Sequence, residues 1–194
     1  MAALLSTVQS LPDDARVALE RALVPLARFA LVGRLAEAAA HDTGNALFGL
    51  TGLVDLLQEG EPLPRERIEL LHRSSADLQG MIVPLLDLSR GADVRATADL
   101  AAAAREAIVL VRRGRFLPAP PLLVACPADL LIQAVLHLVL AAPGEPQLEL
   151  ADESLQVSPA GEASFDELVA RRIAIDHGGS LERRGDTLVL RLPA

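Results

Sequence analysis

Between about residues 26 and 58, apolar positions recur at the spacing of one long helix. A helix turns ~100° per residue. With His41 set at zero, Ala46, Leu47, Leu50, Leu53, Val54 and Leu57 fall in an arc of roughly 120° on the opposite side. Val32, Leu35, Ala36 and Ala39 extend that side upstream. The near side carries Arg34, Glu37, Gly44, Asn45, Phe48, Gly49, Gly52 and Asp55. The pattern predicts a buried stripe with His41 in the middle of the solvent face.

Gly60-Glu-Pro-Leu-Pro64 reads as a turn. A second helix is expected from near Arg65 to near Arg90, with a heptad seam of Ile68, Leu71, Ser75, Leu78, Ile82, Leu85 and Ser89. Pro84 predicts a kink in it. Two antiparallel helices with one apolar face each cannot bury that face alone. Pairing two such hairpins makes a four-helix bundle, which predicts a homodimer. Ahead of the hairpin, Asp13 or Asp14 suits a helix N-cap, and a helical pattern runs through Val17, Leu19, Leu23 and Val24 to Pro25. That lead is either a short packing helix or a continuation of the main one.

After residue 91 the pattern changes. Asp99 to Arg113 reads as a helix capped by Asp99, and Leu122 to Cys126 as a short strand. Pro127-Ala-Asp129 opens a helix that ends near Ala142. Strands are expected at Gln147 to Leu150 and Leu155 to Ser158. A helix capped by Ser164-Phe-Asp-Glu167 follows, reaching Asp176. His177-Gly-Gly179 ends it, and a hairpin turns at Gly185-Asp186. The predicted fold class is α+β: a helical hairpin, then a small sheet with helices on one face. The divisions are a lead (1–25), the hairpin (26–91), a linker (92–98) and the α/β unit (99–194).

Composition narrows the choice of partner. The net charge is −8 and all 18 basic residues are Arg. An acidic chain of this kind argues against nucleic acid or an anionic membrane as the main partner. With four Phe and no Trp or Tyr, the core must be aliphatic. The single Cys126 lies in an apolar run and reads as core filler, with no partner for a disulfide or a structural zinc site. The longest uncharged runs fall short of the ~20 residues that span a bilayer, and no secretory signal opens the chain. A soluble, cytoplasmic protein is expected.

The chemistry concentrates around His41. Gly44, Gly49 and Gly52 each cost about 1 kcal/mol relative to Ala inside a helix. Small residues on an exposed face let another protein approach the backbone, so Gly44, Phe48, Gly49 and Gly52 form a candidate docking face. Asp42 follows His41, and Asn45 lies one turn on. The run Gly33-Arg-Leu-Ala-Glu-Ala-Ala-Ala-His-Asp-Thr-Gly-Asn-Ala-Leu47 resembles the H-box of sensor histidine kinases. His41, Asp42, Asn45 and Leu47 match that pattern, and Ala46 replaces the usual Pro.

The second half resembles the ATP-binding domain of the same family. Pro127 to Ala142 looks like the N-box helix, and Leu168 to Gly179 with the hairpin after it looks like the closing helix and strands. The nucleotide-handling residues differ. His137 and Ala141 stand where the N-box has its two Asn residues. Val157-Ser-Pro-Ala-Gly161 replaces the adenine box, and only Glu162 and Ala163 separate Gly161 from the Ser164 cap. No room is left for a lid loop.

The resemblance therefore implies a dimeric phosphoacceptor hairpin carrying a degenerate ATPase-like domain, with no ATP hydrolysis or tight ATP binding. The function expected is that of a histidine phosphotransferase, passing phosphoryl groups between receiver-domain aspartates through His41. Asp42 would accept a hydrogen bond from the other ring nitrogen, and Asn45 would contact the phosphoryl group or a water. No cofactor is expected on this chain, since Mg2+ belongs to the receiver. The rival expectation is a phosphatase or a non-catalytic regulator that binds a response regulator, for which the Asp42–Asn45 spacing also suits. His137 reads as a structural His within an apolar helix. The Arg112, Arg113 and Arg115 cluster reads as a solvated helix end or, less simply, a docking patch.

Overall fold

The computed structural model describes residues 7–8, 10–58, 64–90 and 97–194. The turn expected at residues 60–63 and most of the 92–98 linker lie outside the described residues, as does the Pro84 side chain. The hairpin consists of α1 (Asp13–Gln58) and α2 (Arg65–Arg90). The α/β unit follows as β1 (Ala98–Asp99), α3 (Leu100–Val111), β2 (Arg115–Phe116), β3 (Leu123–Val124), α4 (Ala128–Ala141), β4 (Gln147–Ala151), β5 (Ser154–Ser158), α5 (Phe165–Asp176), β6 (Ser180–Arg184) and β7 (Thr187–Arg191). The fold class is α+β, a long helical hairpin joined to a small two-layer sandwich.

The lead is a continuation. α1 starts at Asp13 and runs through Pro25 without a break. Asp13 and Asp14 sit in its first turn, where their charge complements the helix dipole. Proline removes one intrahelical bond, yet tertiary contacts on both sides hold the helix here. The buried Gln133 donates to the Val24 carbonyl at 2.9 Å, and downstream of the proline Ala27 and Leu31 are buried.

In the sandwich, the sheet order is β2-β4-β5-β7-β6, with β2 parallel to β4 and every other pair antiparallel. β1 and β3 form a separate two-stranded ladder. The short β1 and β2 were not expected, because two-residue strands carry no alternation to read. Alternation does decide the longer strands. Leu148, Leu155, Val157, Leu188 and Leu190 turn to one core with Leu131, Val135 and Leu138 of α4 and Val169 and Ile173 of α5.

The caps are built as the sequence suggests. Asp99 Oδ1 accepts from the N–H groups of Ala101 (2.9 Å) and Leu122 (3.0 Å), so it starts α3 and fastens the β3 approach. Ser164 Oγ accepts from the Glu167 N–H at 3.2 Å. The Glu167 carboxylate does not close the reciprocal capping box. It pairs with Arg171 at 2.7 Å and with Arg183 instead. Cys126 is buried, and burial, helped by nearby Asp129, pushes its thiol up to about 12. It is inert filler.

The two parts share one core. Ala27, Leu31, Leu35 and Ala39 of α1 belong to the same buried cluster as the residues of α4 and α5. Ion pairs flank that seam: Arg172–Glu20 (3.6 Å), Arg21–Asp176 (3.1 Å), Arg28–Asp129 (3.1 Å) and Arg34–Asp166 (3.4 Å).

Candidate functional site

His41 lies just downstream of the seam, where α1 leaves the sandwich. Its side chain is exposed, and no hydrogen bond to its ring occurs among the described residues. Asn45, one turn on, is also exposed, as are Gly44, Gly49 and Gly52. Phe48 is 84% exposed. A Cβ added at Gly44, Gly49 or Gly52 would meet nothing within 4 Å. Among the described residues, nothing thus requires glycine at these positions.

Asp42 is placed differently from its neighbour. One residue along a helix is ~100° around it, so Asp42 faces the sandwich while His41 faces water. Its Oδ2 lies 2.6 Å from Arg112 Nη1, and its side chain is only 17% exposed. The hydrogen bond expected from the His41 ring to Asp42 is not among those of the described residues; the carboxylate is directed to Arg112. Asp42, Asn45 and Ala46 line a hollow of about 200 Å³ with Ser74 and Leu78 of α2 and with Arg112. A second, apolar hollow of about 340 Å³ lies along the α1–α2 seam, lined by Leu47, Leu50, Ile68, Leu71 and Leu78 among others.

Arg112 was the residue undervalued in the sequence. It caps the C-terminus of α3 in the left-handed region, at φ 53° and ψ 33°, and its N–H bonds the Ile108 carbonyl at 2.9 Å. That conformation costs a non-glycine residue roughly 1–2 kcal/mol. The basic cluster is partly solvated, with Arg112 and Arg115 exposed, yet its arginines are engaged by the chain. Arg113 donates to the carbonyls of Val139 and Ala142 at the end of α4, and Arg115 to Gln147 Oε1. The only available signal was an Arg pair just before Gly114, which marks a helix end and says nothing of what that end faces.

His137 and Gly161, singled out in the second half of the sequence, both pack against other parts of the chain. His137 is 2% exposed, and its Nδ1 meets Asp166 Oδ1 at 2.7 Å. Burial works to raise the Asp166 pKa, but the His137 hydrogen bond and charge and the Arg34 guanidinium outweigh it and hold the carboxyl below its ordinary range. His137 therefore ties α4 to α5 and, through Arg34, to α1. Gly161 lies so close to the end of α4 that a Cβ there would stand 2.4 Å from the Ala141 carbonyl oxygen. The loop after β5 thus presses on the very turn where the N-box resemblance places Ala141. His177 Nδ1 donates to the Ile173 carbonyl at 2.8 Å, closing the end of α5.

Among the described residues, no group of three or more His, Cys, Asp and Glu side chains is placed to hold a metal, and no helix is long and apolar enough to cross a membrane. No family model and no curated protein matches the chain. Among solved structures, the Acinetobacter baumannii histidine kinase AdeS is similar over 77% of this chain and 94% of that one, at 13% identity and a TM-score of 0.36.

Proposed function

We propose that this chain is a histidine phosphotransferase of a two-component phosphorelay, working as a cytoplasmic homodimer and without ATP. The observation that carries the reading is His41. It is an exposed imidazole in mid-helix, with no hydrogen bond to its ring among the described residues, beside a glycine-lined face and the exposed Phe48. A neutral imidazole is a nucleophile near neutral pH. Its Nε2 attacks the phosphorus of a receiver's phospho-aspartate. The N–P bond forms as the P–O bond breaks, and the aspartate carboxylate leaves with the electron pair. In the return step a carboxylate oxygen of a second receiver attacks phosphorus, and the electron pair goes back to Nε2. In-line positioning and charge neutralisation carry most of such a reaction. The receiver supplies Mg2+ and the acidic pocket. Gly44, Phe48, Gly49 and Gly52 form the docking face, with Asn45 within reach of the phosphoryl group.

The close approach of Gly161 to Ala141 and the burial of His137 support a reading without nucleotide. The apolar residues left open on α1 and α2 support a dimer. Leu47, Leu50, Val54 and Leu57 are all exposed in the single chain. A second hairpin offers the same stripe and would complete a four-helix bundle.

Incubation with a panel of phosphorylated receivers tests the reading. Acid-labile label should move onto the wild-type chain and none onto His41→Gln. A second reading, as a phosphatase or silent regulator of a response regulator, is favoured by one observation: Asp42 is held by Arg112 and not by His41. A phosphatase would retain activity toward the phosphorylated receiver in His41→Gln and lose it in Asn45→Ala, whereas a non-catalytic regulator would show no turnover of the phosphoryl group in either variant or in the wild type.

A further inference from the structure

We propose that Arg112 is a positioning residue of the phosphotransfer site, through which the second domain acts as a fixed wall beside His41. This rests on the reading of His41 as phosphoacceptor. The Arg112–Asp42 pair spans the two parts of the molecule at 2.6 Å. It fixes Oδ2 of the acid adjacent to His41, while Oδ1 has no hydrogen bond among the described residues. In the resting structure His41 does not bond Asp42 among the described residues. Held by Arg112, the carboxylate keeps one oxygen that the ring N–H can reach only once the imidazole turns in the transfer step.

Two further observations point the same way. The C-cap of α3 is strained for arginine, at φ 53°. A glycine would end the helix with less strain and would bring no cation to Asp42. Strain that the surrounding fold sustains is concentrated at functional positions. The wall is also rigid. Leu31, Leu35 and Ala39 of α1 share a core with α4 and α5, so the domain cannot swing from His41 without opening that core. Polar groups of three helices then converge on one hollow: Asp42 and Asn45 from α1, Ser74 from α2 and Arg112 from the end of α3.

Single-turnover transfer from a phosphorylated receiver to the full chain, over a range of receiver concentrations, tests this on wild type, Arg112→Gly and Arg112→Lys. Arg112→Gly should lower the maximal transfer rate by ~10-fold or more, with little change in the half-saturating concentration. It should also melt at a higher temperature than wild type, because the left-handed strain is gone. Arg112→Lys, which keeps the cation, should recover most of the rate. Wild-type transfer by Arg112→Gly, or a loss confined to the half-saturating concentration, would overturn the positioning role alone. Failure of the wild-type chain to accept phosphate from any receiver would instead remove the phosphoacceptor reading, and this inference with it.

Discussion

The two halves of α1 carry the same apolar pattern and meet different fates. Upstream, Ala27, Leu31, Leu35 and Ala39 are buried against the chain's own sandwich domain. Downstream, Leu47 is 58% exposed, Leu50, Val54 and Leu57 are exposed too, and only Leu53 is buried. Periodicity says that a face wants cover; it does not say whose. The upstream half finds α4 and α5. The downstream half finds only α2, and one helix covers one flank of a stripe this wide. His41 stands at the changeover, where the sandwich ends and the open bundle begins.

The largest stability contrast should come from truncating one leucine in each half. Leu31→Ala empties a filled interior and should cost ~2–5 kcal/mol. Leu50→Ala, measured at concentrations where the chain is monomeric, should cost under ~1 kcal/mol. Urea denaturation of both variants gives the two numbers, and equal losses would erase the distinction between the halves.

Charge on the open half should break self-association and leave the fold intact. Leu47→Asp with Leu50→Asp should weaken dimerisation by roughly 100-fold or more, since two central apolar contacts are lost. Sedimentation equilibrium reads the dissociation constant, and circular dichroism checks that helix content is kept. A wild-type chain that stays monomeric at high concentration would mean that a different partner covers the stripe.

A smaller effect belongs to the closed half and depends on pH. The folded Asp166 carboxyl titrates below its ordinary value of 3.8. Its ionised form therefore adds stability that is fully present above that value and lost as pH falls through the lower folded pKa. The wild-type chain should lose stability more steeply below about pH 4 than Asp166→Asn does, in denaturation curves taken from neutral pH downward. Parallel curves would show that the His137–Asp166–Arg34 link contributes nothing to holding the seam.

The smallest change is expected on the docking face. Gly44→Ala should raise stability by up to about 1 kcal/mol, because the added methyl meets nothing and the helix gains propensity. Transfer from receivers should nevertheless slow as the methyl holds the partner off the backbone. Faster or unchanged transfer would place the docking face elsewhere.

Local signals carried much of the fold. The Asp99 and Ser164 caps, the Gly185 turn and the strand alternation each use contacts within a few residues, so the sequence displays both partners at once. His41 could be placed on the water side of its helix for the same reason: an angle along one helix is a local quantity. The partnership of Asp42 with Arg112 could not be read, because the two lie 70 positions apart and their meeting depends on how α3 docks against the hairpin.

By itself, then, the sequence determined the longer elements, the Asp99 and Ser164 N-caps and the face on which each apolar row lies, since all of these follow from neighbours a few residues apart. Tertiary structure alone decided that Pro25 would sit inside a continuous helix, that the upstream stripe would close on the chain's own sandwich, and that an arginine would reach across to the acid beside His41. Those outcomes depend on which surfaces dock, and docking is settled by the summed burial and ion pairing of residues far apart in the chain.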